Sequence, residues 1–156
     1  MPNKNLDKTD LKILEILQSD SRVTTSQLSE RLNLSTSPCW RRVKRLEETK
    51  IIQGYGVFLD RRKLNLSVMV FIRVSIDSHS EKEARKFEEE VIALDNVVAC
   101  YSMGGDADFL LQIVSPNLDT YADFSMSVIR RLPGIKEMQS MFVLKEIKPF
   151  KGFPLI

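Results

Sequence analysis

The chain has 156 residues, of which 43% are hydrophobic and 28% charged, a composition that excludes a wholly disordered or collagen-like polymer and suits one ordinary domain or two small ones. The net charge of +2 conceals an asymmetry: residues 1–63 hold 13 Lys+Arg against 8 Asp+Glu, and residues 64–156 hold 10 against 13. A basic front half on an acidic back half points to a nucleic-acid-binding module joined to something else.

Met1-Pro2-Asn3-Lys4-Asn5 runs straight into a charged helix, without the apolar core of a signal segment, which predicts a cytoplasmic protein. The first helix is expected from Asp7 to Gln18, with Asp7 as N-cap and Leu11, Ile13, Leu14 and Leu17 on its apolar face. Thr24-Thr25-Ser26-Gln27 matches a capping box and opens a second, short helix that buries Leu28 and Leu32. After a tight turn at Asn33-Leu34, a third helix runs from Ser35 to Thr49, with Pro38 tolerable in its first turn.

The third helix carries the clearest chemistry. Cys39, Val43 and Leu46 form an inward stripe, while Ser35, Thr36, Ser37, Trp40, Arg41, Lys44 and Arg45 are left on the remaining surface. Two short helices joined by a tight turn, the second opening with hydroxyls and cations, describe a helix-turn-helix. Such a helix fits the major groove of double-stranded DNA, where arginine grips guanine through two hydrogen bonds. Arg41 and Trp40, with Thr36 and Ser37, are assigned to the groove, and Lys44 and Arg45 to phosphates. Arg42, beside the buried stripe, is given a partly structural role.

Ile51 to Leu59 mixes β-branched and aromatic residues with Gly54 and Gly56 and reads as a bent strand, a winged-helix-like addition. The basic stretch at 61–66 reads as a linker, dividing the chain into domains 1–60 and 67–156. The second half then reads strand, helix, strand, strand, helix, strand. Val68, Val70, Ile72, Val74 and Ile76 alternate along the first strand. Ser80 and Glu83 form a second capping box before a helix with the stripe Ala84, Phe87, Val91 and Leu94.

Val97–Met103 and Ala107–Val114 are strands around Gly104-Gly105-Asp106. Tyr121, Phe124, Val128 and Leu132 share a helical face, and Ile135 to Ile147 is the last strand. The order is the βαββαβ of a ferredoxin-like domain, so the fold class is α+β. Two helices cover one sheet face; the other inherits Met69 and Phe71 and predicts a homodimer.

Cys39 and Cys100 are isolated, and His79 is the single histidine. Neither a disulfide framework nor a metal site is expected, and the chain is poor in catalytic groups. No P-loop or Gly-x-Ser-x-Gly motif occurs, which argues against an enzyme.

Three stretches resemble the leucine-responsive regulatory protein and asparagine-regulator (Lrp/AsnC) family of bacterial and archaeal transcription regulators. They are Leu6 to Leu14, Leu34 to Glu47 around Trp40-Arg41-Arg42, and Gly105-Asp106-Ala107-Asp108-Phe109-Leu110-Leu111. The resemblance implies a nucleoid-associated regulator coupled to an amino-acid-sensing oligomerisation domain, assembled as four dimers and needing no cofactor beyond its effector.

It also implies an effector site at Gly104, Gly105, Asp106 and Asp108, completed by Gln139, Ser140 and Met141 of a neighbouring subunit. Met103 and Met141 suggest an apolar side-chain pocket for leucine or methionine. Lys50 departs from the family's frequent glycine after the third helix. Two alternatives remain at this point: an amino-acid-binding regulatory subunit of a metabolic enzyme, and an RNA-binding module of the same topology.

Overall fold

The structure is a computed structural model that describes residues 6–77 and 81–155. His79 and the Ser80 half of the second capping box lie outside those residues. The chain divides into two compact units: the residues up to Phe58 together with the tail from Lys148, and Leu59–Ile147. The division differs from the expected boundaries of 60 and 67, and it moves the tail out of the sheet unit.

In the first unit, helices α1 (Lys8–Ser19), α2 (Thr25–Leu32) and α3 (Thr36–Glu48) enclose a core of Ile13, Leu14, Leu28, Cys39 and Leu46. Helix α1 starts where it does because the Asp7 carboxylate accepts from the amides of Thr9 (2.8 Å) and Asp10 (2.9 Å). The Asp10 carboxylate in turn accepts from the Asp7 amide at 3.0 Å. That reciprocal pair satisfies donors the helix would otherwise leave open. Helix α2 begins with the expected box, the Thr24 amide donating to Gln27 Oε1 at 3.0 Å and the Gln27 amide to Thr24 Oγ1 at 3.3 Å. Asn33, left-handed at φ 53°, ends it.

Helix α3 ends on the same device with a less suitable residue. Lys50 has φ 58°; its amide donates to Glu47 O, and the Ile51 amide donates to Leu46 O, both at 3.0 Å. This closure fills orphan carbonyls and favours glycine at the left-handed position. Lysine therefore holds the left-handed position that closes the helix, at a backbone cost.

Residues 51–59 form no strand, contrary to expectation. Ladder bonds need a partner, and among the described residues of the unit no strand runs beside this segment; Val57, Phe58 and Leu59 are exposed. The tail folds against α1 instead: the Phe153 amide donates to Gln18 Oε1 at 2.7 Å and Gln18 Nε2 returns a bond to Phe153 O at 3.1 Å.

The second unit opens with residues 61–65 as a bonded turn. The Arg61 guanidinium donates to Leu66 O (2.9 Å) and Ser67 O (2.7 Å), which makes the expected linker an ordered turn. The sheet follows: β1 (Val68–Ile76), β2 (Val97–Ser102), β3 (Phe109–Ser115) and β4 (Ile135–Phe142), in antiparallel order β2-β3-β1-β4. Helix α4 (Glu81–Ile92) and helix α5 (Leu118–Ser127) complete the βαββαβ order.

Val70, Ile72 and Val74 of β1 meet Phe87, Val91, Leu111, Ile113, Tyr121 and Ile129 in one core. Each large side chain buried there contributes about 1.5–3 kcal/mol. Two boundaries differ from expectation. After α5 the chain tightens into a short 3-10 turn at Ile129–Arg131, which turns Ile129 inward. Strand β4 stops at Phe142, opposite Val70, because β1 supplies little strand beyond that point.

Candidate nucleic-acid interface and ligand pocket

Helix α3 is fixed to α1 through charge. Asp10 is fully buried, and its carboxylate accepts from Arg42 Nη1 at 2.9 Å and Arg45 Nη2 at 2.5 Å. Arg42 Nη1 also reaches Asp7 Oδ2 at 2.6 Å. The amide of Asp10, then the guanidinium of Arg42, hold the Asp7 carboxyl below its ordinary range. The same carboxylates hold Arg42 more firmly protonated, Asp7 first. Arg45, assigned to phosphate from the sequence, is thus tied to Asp10 in the free chain. Asp10 was missed; a short acidic side chain amid Ile13 and Leu14 could have flagged it.

What α3 presents outward is set by its 100° per residue. Ser37, Arg41 and Lys44 fall opposite the Cys39–Leu46 stripe and are exposed. Arg41 makes no hydrogen bond or ion pair among the described residues. Lys44 Nζ lies 5.0 Å from the Trp40 ring centre and 3.8 Å from Glu48 Oε1, and Trp40 is half exposed. Ser35 caps the helix without using its side chain, and Thr36 is exposed beside it. The expected residues therefore share one solvent-facing surface, with Arg45 at its edge.

A recess of about 420 Å³ lies beside this surface, lined by Leu17, Val23, Leu28, Trp40, Val43 and Tyr55 among others. Tyr55 donates to Glu47 Oε1 at 2.7 Å. Desolvation, and then that bond, push its phenol up to about 12.

In the second unit a pocket of about 270 Å³ opens on the sheet face not covered by helices. Its walls are Arg73, Met103, Gly104, Asp106, Ala107, Phe109, Leu110 and Met141. Of the expected effector residues, Gly104, Asp106 and Met141 meet here within one chain. Gly105 adjoins them with φ +130°, a conformation that requires glycine, and a Cβ at Gly104 would meet nothing within 4 Å.

The remaining three are elsewhere. Asp108 turns into the backbone, its Oδ2 accepting from the Ile76 amide at 2.8 Å. Gln139 stands opposite Arg73 in register but outside the pocket wall. Ser140 points to the opposite, helix-covered face and bonds the Tyr121 hydroxyl; strand alternation prevents Gln139, Ser140 and Met141 from sharing one face. Among the described residues no cluster of His, Cys, Asp or Glu could hold a metal. Arg73 was missed, although it is the one charge in an otherwise apolar or neutral strand.

Comparison with known proteins places both units. Residues 6–53 match the model of a winged helix-turn-helix DNA-binding domain, and residues 69–153 that of the Lrp/AsnC ligand binding domain. The chain belongs to the Lrp/AsnC family. Over 96% of its length it is 37% identical to the Bkd operon transcriptional regulator of Pseudomonas aeruginosa, covering 98% of that protein. It is 34% identical to the leucine-responsive regulatory protein of Escherichia coli, over 94% of this chain and 90% of the relative. A Neisseria meningitidis transcriptional regulator crystallised with L-Met superposes with a TM-score of 0.92 at 39% identity, covering 96% of this chain and 97% of that one.

This Lrp/AsnC chain is a DNA-binding transcription regulator with a ligand-binding domain, and not an enzyme. The readings as a metabolic enzyme's subunit and as an RNA-binding module are thereby set aside. No described helix is long and apolar enough to cross a membrane.

Proposed function

We propose that the chain is a sequence-specific regulator whose DNA affinity or assembly responds to an apolar amino acid, leucine or methionine. The observation that carries this reading is the pairing of an outward Ser37–Arg41–Lys44 face with a small pocket of mixed charge and apolar surface. A volume near 270 Å³ is below the ~300 Å³ at which sites for drug-sized molecules begin, and suits a ligand of few heavy atoms. The L-Met bound by the Neisseria regulator supports the same ligand class.

In the DNA complex Arg41 reads a base edge, with Trp40, Thr36 and Ser37 beside it, while Lys44 and Ser35 hold phosphates. Arg45 reaches phosphate only by sharing its guanidinium with Asp10. The end of the open sheet face that carries Met69, Phe71 and Val114 pairs two chains, and four such dimers form the working assembly. That assembly acts on chromosomal DNA in the cytoplasm.

The test is a DNA titration across a salt series, with Arg41→Ala alongside. For roughly eight phosphates per dimer the log–log slope is near −7. The variant should lose about 1–3 kcal/mol and specificity at one base pair. A slope near zero refutes the DNA reading. Thermal shifts with each of the twenty amino acids test the sensor reading, and no shift with any at millimolar concentration refutes it. Light scattering of the purified chain tests the assembly, and a monomer at working concentration refutes that part.

A further inference from the structure

We propose that Arg73 is the carboxylate-binding residue of the pocket, and that with Asp106 it reads the two charges of an apolar α-amino acid. The inference rests on the amino-acid reading above and adds how the ligand is recognised.

Arg73 sits on β1 between Leu110 of β3 and Gln139 of β4. A guanidinium has five N–H donors, yet Arg73 makes no hydrogen bond among the described residues. Its ion partner is Asp106, at 3.7 Å from Nη2 to Oδ2, longer than the 2.7–2.9 Å of a charge-assisted hydrogen bond. The Asp106 side chain is itself 95% exposed. Cation and anion therefore stand side by side at the pocket as a loose ion pair with their hydrogen-bonding capacity unspent.

The other walls are apolar: Met103, Ala107, Leu110 and Met141 line it, and the Phe109 ring is buried in the core behind them. Gly104 adds a backbone with open space where a side chain would stand.

A ligand that fits must satisfy both charges at once. A fatty acid or an inorganic anion would pair with Arg73 but face the Asp106 carboxylate. An alkylamine would do the reverse. A zwitterion places its carboxylate on the Arg73 fork, its ammonium on Asp106 and its side chain on the apolar wall, and leaves no charge unpaired. Arginine suits this better than lysine, because its planar fork bonds both carboxylate oxygens.

The test is calorimetric titration of the full-length protein with L-methionine, L-leucine, their amides and their deaminated acids. The wild type should bind the amino acids about tenfold or more tightly than the amides, which lack the anionic group. R73Q should lose about tenfold in affinity for methionine and bind methionine and its amide alike. D106N should lose the preference for methionine over its deaminated acid.

If the wild type binds methionine or leucine while R73Q keeps full affinity and still rejects the amide, the inference is overturned and the amino-acid reading stands. If the wild type binds neither amino acid, the reading beneath it falls as well. Circular dichroism checks that R73Q is folded. Should it not fold, the wild type alone decides, since equal binding of amino acid and amide overturns a carboxylate-reading arginine.

Discussion

Replacing Asp10 by alanine should destabilise the first unit severely while changing its outward surface only at Arg45. The substitution removes the acceptor of the Asp7 amide, at 3.0 Å, a loss of about 1 kcal/mol for half of a capping pair. It also removes the partner of Arg42 and Arg45. A hydrogen bond to a charged group contributes about 1.5–3 kcal/mol net, but the two arginine side chains are 32% and 46% exposed. They recover water when released, so roughly half of that is lost. The total is about 2–4 kcal/mol, against a stability of about 3–10 kcal/mol for a unit of about 67 residues.

The midpoint of thermal unfolding should accordingly fall by roughly 10–25 °C. Trp40 is the single tryptophan and lies in this unit, so its fluorescence follows this transition alone. Urea titrations of the wild type, D10A, R42A and the double variant give the coupling directly. A loss below about 1 kcal/mol in D10A, or additive single variants, would refute the claim that a buried carboxylate pins the recognition helix.

Lys50→Gly should stabilise the same unit by about 0.5–1 kcal/mol in urea titration, because glycine has no Cβ to crowd the carbonyl at φ 58°. The Asp7 carboxyl is held low by the Asp10 amide and by Arg42, so its contribution is present above about pH 4 and is lost as pH falls through the lowered value. D7N should flatten that acid limb of a stability–pH curve. Tyr55 has the opposite sign. Raised to about 12, its phenol contributes stability below the unfolded value of about 10, and loses it as pH rises from about 10 to about 12; Y55F should abolish this alkaline dependence. Cys39 is fully buried and Cys100 exposed, so native thiol titration should label Cys100 alone and reach Cys39 only with unfolding.

Much of the fold was legible because its signals are local. The Thr24–Gln27 box, the Asp7 cap and the Cys39–Val43–Leu46 stripe each depend on residues within one or two helical turns. The alternation of Val70, Ile72 and Val74 settled which face of β1 is buried before any partner was known. Where pairing decides the outcome, the sequence misled: 51–59 has strand composition and no strand beside it among the described residues, and β4 ends at Phe142, two residues short of the start of its partner strand.

The sites divide in the same way. Sequence alone determined which α3 residues face outward, since helical periodicity needs no tertiary information. It also marked the Gly104–Gly105–Asp106 turn. Only the tertiary structure set Asp10 against Arg42 and Arg45, across separations of 32 and 35 residues, and only it brought Arg73 to Asp106. Ser140, adjacent in sequence to two residues of the open face, was removed to the other side by the pleat. Charge pairs between distant segments leave no periodic trace in a sequence, because what selects them is the packing that brings the segments together.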